Sequence, residues 1–289
     1  MRRFIVLLTL LCAAPVWSQQ ASKLSPNWED LTGPDFIHAI HQAQGVCVLP
    51  FGIMEKHGAH LPIGTDLIDV RYAVEHAVQK EYAVVFPPYY FGQIAEARHQ
   101  PGTLAYPRKL QLALLQATTD EMGRNGCKKI IIVNGHGGNL SFLPYFAQTQ
   151  LDKPHNYIVY VYWWSHPMHG GPAITDKVDE HAGQTETSMM LISAPNLVHM
   201  DRATAESGAD LKRDPLPKGL YTGIWWYARF PNHYAGQGAL ASKAMGDWLM
   251  SHWVDGIVNV IRAVKADQEG LKLQTEFYAA SKHPLDTKQ

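Results

Sequence analysis

Short apolar runs alternate with stretches of helical spacing along most of this chain. Four runs read as strands: Val46–Pro50, Ala83–Pro87, Lys129–Asn134 and Tyr157–Tyr162. Between them, residues 67–80 carry Val70, Val74, Ala77 and Val78 at helical spacing. Residues 110–122 repeat the pattern. They place Leu110, Leu114, Thr118 and Met122 on one face, leave Gln111, Gln116 and Asp120 off it, and stop at Gly123 and Gly126. A third helix is predicted from about Glu186 to Ser193, ahead of Pro195, and a long one from about Ser242 to Asp267. The 200–235 stretch is rich in Pro, Gly and aromatics, including Trp225-Trp226-Tyr227, and reads as a long loop or lid. Strands alternating with helices predict a three-layer α/β/α fold with a largely parallel central sheet covered on both faces. One domain is expected over residues 25–280, followed by a polar tail at 281–289. In such sheets ligands bind beyond the carboxyl ends of the strands.

The amino terminus changes the address. Met1-Arg-Arg, the apolar run Phe4–Val16 and Val16-Trp-Ser18 form a charged region, a core too short to span a bilayer and an acceptable cleavage site. Residues 1–18 are therefore expected to be a cleaved leader, and the mature protein periplasmic or secreted, with no membrane segment. A formal net charge of −1, with 18% charged residues, argues against nucleic acid as a partner. Of the three cysteines, Cys12 falls in the leader. Cys47 and Cys127 lie in or beside strands and read as small buried thiols, with pairing in an oxidising compartment left open.

Candidate chemistry sits in three clusters. Glu55-Lys-His57-Gly-Ala-His60-Leu-Pro-Ile-Gly-Thr-Asp66 follows the first strand directly. Buried charges at a strand end need partners, and a divalent cation is the simplest one that uses Glu, His and Asp together. Asn134-Gly-His136-Gly-Gly-Asn139 ends the third strand, where its glycines allow close approach of the backbone to a ligand. Alone it would be an ordinary strand-to-helix turn; beside the first cluster it reads as the other half of a metal site. Asp179-Glu180-His181-Ala-Gly-Gln-Thr-Glu186-Thr-Ser188 opens a helix. Glu186 there fits plain helix capping, whereas the adjacent Glu180-His181 suits proton transfer. His60 is either a hydrogen-bond partner behind the site or a solvent-facing residue. Trp163 and Trp164 are pocket walls or core, and His166 and His169 line an entrance or are simply exposed.

Together the three clusters resemble the creatininase family of metal-dependent amidohydrolases, with weaker matches at Pro101-Gly-Thr103 and Gly236-Gln-Gly-Ala-Leu-Ala-Ser-Lys243. The resemblance spans roughly residues 30 to 265. It implies a binuclear centre of two divalent ions, zinc or manganese, with iron also suited to such ligands. By position, Glu55 and His136 would hold one ion, His57 and Glu186 the other, and Asp66 would bridge. His181 would be the catalytic proton shuttle, with Glu180 positioning it. The family chemistry is attack by a metal-bridged hydroxide on an amide carbon. Hexameric homo-oligomers are common in the family, so assembly is expected on the same ground. Creatininase itself carries a Glu two residues beyond the glycine-flanked His, where this chain has Gly138; the fourth ligand therefore moves to Glu186. The Glu96–Gln100 stretch also departs from the family pattern, so creatinine specificity is not inherited. The expected activity is hydrolysis of a small cyclic or linear amide C–N bond. The alternatives are a metallopeptidase acting on short peptides and a non-catalytic metal- or solute-binding protein.

Overall fold

The structure is a computed structural model that describes residues 24–164, 170–217 and 219–286. Four strands, β1 (Val46–Phe51), β2 (Val84–Val85), β3 (Lys129–Asn134) and β4 (Ile158–Trp163), form one sheet in the order β2-β1-β3-β4. Every neighbouring pair is parallel. Alternate residues of the central strands feed two different cores. Val46, Val48, Ile131 and Val133 meet α2 (Thr65–Lys80) and α7 (Lys243–Ala266) on one face. Cys47, Leu49, Ile130 and Ile132 meet α1 (Gly33–Gln42), α3 (Arg108–Arg124) and α4 (Asn139–Thr149) on the other. Both faces are covered, so the strands are apolar throughout instead of alternating. The sequence expectation of a three-layer α/β fold holds. Among the described residues no helix is long and apolar enough to cross a membrane.

Parallel pairing places all the carboxyl ends on one edge. Phe51 is in register with Asn134, and Asn134 with Trp163. The first two histidine-bearing loops therefore leave the sheet side by side. Gly52 lets the first loop turn back onto α2, because a Cβ there would lie 2.4 Å from the Leu67 Cα. Asp66 thereby enters the first turn of α2, and α5 (Gln184–Ser193) brings Glu186 in its own first turn.

Several sequence expectations need correction. The buried face of α3 is Gln111, Leu115, Thr119 and Met122, while Leu110 is half exposed. The polar members go inside because they are hydrogen-bonded: Gln111 Nε2 donates to Gly92 O and Tyr106 O, and Thr119 Oγ1 donates to Gln116 O. Three helices were not foreseen: α1, α4, which contains Pro144, and α8 (Gly270–Ala280). The 200–235 stretch contains a short helix, α6 (Trp225–Arg229), packed through buried Trp226 and Phe230. Residues 1–18, expected to be a leader, and His166 and His169 lie outside the described residues.

Cys47 and Cys127 are joined in a disulfide, not left as free thiols. Cys47 is in register with Ile130, and Cys127 reaches it from the turn before β3, where Cys127 N donates to Met122 O and Lys128 N to Gly45 O. The bridge closes a loop across a sequence separation of 80 residues. For that loop length, Cys127→Ala is expected to lower stability by about 4 kcal/mol. Denaturant unfolding under non-reducing conditions measures the difference; coincident curves would show that the bridge contributes nothing.

Candidate metal centre

The first loop, the second loop and the α5 turn converge at the carboxyl edge of the sheet. Glu55 and His57 are fully buried, Asp66 and His136 nearly so. His136 Nδ1 lies 2.8 Å from Glu55 Oε1 and 2.8 Å from Asp66 Oδ2. Among the described residues neither of those buried oxygens receives a well-aligned hydrogen bond. On the other side of Asp66, Oδ1 is 3.0 Å from His57 Nε2, which is also 3.9 Å from Glu186 Oε2. His57 Nδ1 is 3.2 Å from the Glu55 carbonyl, which can only accept, so Nε2 is left to face the carboxylates. Facing buried carboxylate oxygens, that nitrogen must either carry a proton or share a cation with them. The donor set, three carboxylates and two imidazoles with those oxygens turned inward, fits divalent cations.

The electrostatics carry the same message. Burial pulls the His57 imidazole down, but Asp66, Glu55 and Glu186 outweigh it and raise its pKa to about 10. His136 is likewise raised against its burial by Glu55 and Asp66. Burial raises Glu55, yet His136 and His181 hold it well below the usual carboxylate range. Glu186 is pushed up to about 7, mainly by burial. In the metal-free protein both ring cations thus stand where an ion's charge would go. Metal binding should displace them and release protons at pH 8: one from His57, whose pKa is about 10, with a further contribution from His136. Calorimetric titration with zinc in buffers of differing ionisation enthalpy reads that release directly. A buffer-independent heat would show that no imidazolium is displaced.

The backbone explains why these residues meet. In the second loop, Asn134 Nδ2 donates to the His136 carbonyl, Asn139 Nδ2 donates to Asn134 Oδ1, and Asn139 Oδ1 accepts from Gln93 N. The two asparagines bracket the histidine. His181 is presented between Asp179 and Ala182, both at positive φ (40° and 54°), and its main chain exchanges hydrogen bonds with Ala235. Its Nε2–H donates to the Lys56 carbonyl at 2.8 Å, leaving Nδ1 bare, 3.9 Å from Glu186 Oε2. Burial, then the nearby His57 charge, holds His181 well below the ordinary imidazole value, so it stays neutral.

Glu180 does not position His181. Its carboxylate pairs at the surface with Arg229, at 3.2 Å. His181 sits in an extended bridge opposite Ala235, where neighbouring side chains point to opposite sides. His60 is buried, 2.9 Å from Thr187 Oγ1, and burial lowers its pKa to about 4. Trp163 is half exposed and lines a cavity of about 170 Å³ with Leu140, Trp164, Met189 and Trp253, with His136 and Glu186 on its wall. Trp164 also stacks on Trp253. The residue that sequence reasoning passed over is His233. It is buried in the aromatic stretch, with Nε2 on Glu55 Oε2 and Nδ1 accepting from the Trp226 indole. Its only signal in the sequence was a lone imidazole among aromatics.

The creatininase family model, described as creatinine amidohydrolase, matches residues 29–261. The chain belongs to the creatininase family. It is 28% identical over 242 residues to the mycofactocin precursor peptide peptidase of Mycolicibacterium smegmatis, covering 80% of this chain and 90% of that protein. It is 23% identical over 264 residues to the creatinine amidohydrolase of Pseudomonas putida, covering 81% and 95% respectively. A mutant creatininase of Zn–Zn type superposes with a TM-score of 0.69 at 22% identity, over 84% of this chain and 99% of the other. A creatininase described as its Mn form gives 0.65 at 21%, over 84% and 100%. These structures share the fold. Within this creatininase-family chain Gly138 is forced by packing: a Cβ there would lie 2.5 Å from His136 Nε2 and 3.1 Å from Glu96 Oε1. A side chain projecting from that position would have to move His136, and the carboxylate facing His57 besides Asp66 is Glu186.

Proposed function

We propose that the protein is an exported amidohydrolase that cleaves the C–N bond of a small amide at a centre of two divalent cations. Glu55, Asp66 and His136 would hold one ion, and Asp66, His57 and Glu186 the other, with Asp66 shared. Bound there, zinc or manganese would polarise the amide carbonyl and acidify water near neutral pH. The observation that carries the reading is the 170 Å³ cavity, walled by Trp163, Trp164 and Trp253, whose floor includes His136 and Glu186. That volume suits one small, flat or apolar group rather than an extended chain.

His181 is placed to handle the proton. With Nε2–H fixed on the Lys56 carbonyl, the bare Nδ1 can take a proton from attacking water and deliver it to the departing nitrogen as the C–N bond breaks. The buried, neutral state of His181 suits the accepting half of that cycle. A second reading, a peptidase acting on short peptides, is favoured by the relative from M. smegmatis, named as a peptide peptidase and aligned over 90% of its length. In it, the tryptophan cavity would take a single residue of the peptide. Export rests on the leader pattern of residues 1–18, and the disulfide supports it, because such bridges persist in oxidising compartments.

Elemental analysis of the purified mature protein, followed by assays on small cyclic amides, linear amides and short peptides with and without chelator, tests the proposal. Two equivalents of metal and chelator-sensitive cleavage of small amides is the expected result. Cleavage confined to peptides would replace the substrate class with the second reading. Folded protein that neither contains nor rebinds metal would overturn the centre itself.

A further inference from the structure

We propose that His233, locked into one tautomer by the Trp226 indole, positions Glu55 so that a single carboxylate oxygen is left for the metal. The inference rests on the metal-centre reading above and adds a residue that the family clusters do not contain. Trp226 Nε1–H donates to His233 Nδ1 at 2.8 Å. An indole nitrogen can only donate, so His233 Nδ1 must be the bare, accepting nitrogen, and the ring proton must sit on Nε2. That Nε2–H faces Glu55 Oε2. Glu55 Oε2 thereby has one lone-pair position taken, while Oε1, with no well-aligned hydrogen bond among the described residues, turns to His136 Nδ1 at 2.8 Å.

The chemistry of the partner matters. A lysine or arginine against Oε2 would neutralise Glu55 and compete with the cation for its charge. A neutral imidazole N–H orients the carboxylate and leaves its charge in place. The same proton excludes His233 from ligation through Nε2, although its ring lies near both Glu55 and His181. The surrounding chain holds the ring in place. Lys56 Nζ binds the Asn232 carbonyl at 2.8 Å, and Ala235 exchanges main-chain hydrogen bonds with His181. His233 itself sits at φ 56°, a conformation that non-glycine residues adopt at a cost and that the fixed segment enforces. Trp226, 8% exposed, packs on fully buried Phe230, so the indole has little freedom to turn away.

Two measurements test the relay. Long-range proton–nitrogen NMR of ¹⁵N-histidine protein reports which nitrogen of His233 carries the proton, in metal-free and zinc-loaded protein. Competition with a chromophoric chelator gives zinc affinity for wild type, His233→Ala, His233→Gln and Trp226→Phe. The expected result is Nε2–H in both states and a loss of about 10- to 100-fold in the affinity of one zinc in His233→Ala. His233→Gln should recover part of it, because its amide can donate to Glu55. Trp226→Phe should keep the packing but release the tautomer, seen as loss of the Nε2–H signature and weaker zinc. Unchanged affinity in His233→Ala, or an unprotonated Nε2 in the loaded protein, would overturn the relay. Should His233→Ala fail to fold, the Gln and Phe variants carry the same comparison. A wild type that binds no zinc would instead remove the metal-centre reading, while the spectrum of the metal-free protein still decides the tautomer.

Discussion

Asp66→Ala protein will retain at most one equivalent of zinc or manganese, and its amide hydrolysis will fall by at least about 10³-fold, equivalent to about 4 kcal/mol of lost charge stabilisation. The reason is geometric. Asp66 is the carboxylate that reaches the imidazoles of both proposed halves, Oδ1 toward His57 at 3.0 Å and Oδ2 toward His136 at 2.8 Å. It stands in the first turn of α2, where the helix dipole favours negative charge, and it is 3% exposed. Removing it takes a ligand from both halves at once. Asp66→Asn separates charge from shape: it keeps the side-chain outline and should also lose metal, because the amide carries no charge to set against a cation. Elemental analysis after gel filtration, with circular dichroism as the control for folding, reads the outcome. Full occupancy by two metals in the Ala variant would refute the bridge.

Much of this architecture was written in local patterns. β1 and β3 are uninterrupted apolar runs because both faces are covered, and α2 shows its core face, Val70, Val74, Ala77 and Val78, at plain helical spacing. The clusters around Glu55 and His136 were visible because glycines and titratable residues follow strands at short range, and the one around His181 because it opens a helix. What escaped depends on contacts that hydrophobic spacing does not encode. The inward face of α3 includes Gln111 and Thr119, which go inside only because Gly92, Tyr106 and Gln116 offer carbonyls. The Cys47–Cys127 bridge depends on the turn before β3, which lays Lys128 against Gly45 and which no spacing reveals. His233 reaches Glu55 across 178 residues, through a stretch that reads as loop. Glu180 misled for the opposite reason: adjacency to His181 suggested cooperation, whereas in an extended segment adjacent side chains diverge.

His181→Ala will keep the full complement of metal and lose about 10²- to 10⁴-fold in kcat, the usual contribution of a positioned proton carrier. Among the described residues the ring's hydrogen bond goes to the Lys56 carbonyl, and its bare Nδ1 faces the centre, 3.9 Å from Glu186 Oε2. A ligand would be missed by the metal; a proton carrier is missed only by the reaction. The distinction is real here, because His181 shares two tight ligand clusters, one with His57 and Glu186 and one with Glu55 and His233. Metal content measured beside kcat and KM therefore decides its role. Loss of metal together with activity would make His181 a ligand and leave the proton without a carrier. Glu180→Ala should change kcat by less than about threefold, since surface ion pairs such as the one with Arg229 contribute little. A large loss there, with metal retained, would return Glu180 to the catalytic machinery. Full activity in His181→Ala would leave the centre a metal site whose chemistry runs through some other base, and Glu186, raised to about 7, would be the next residue to replace.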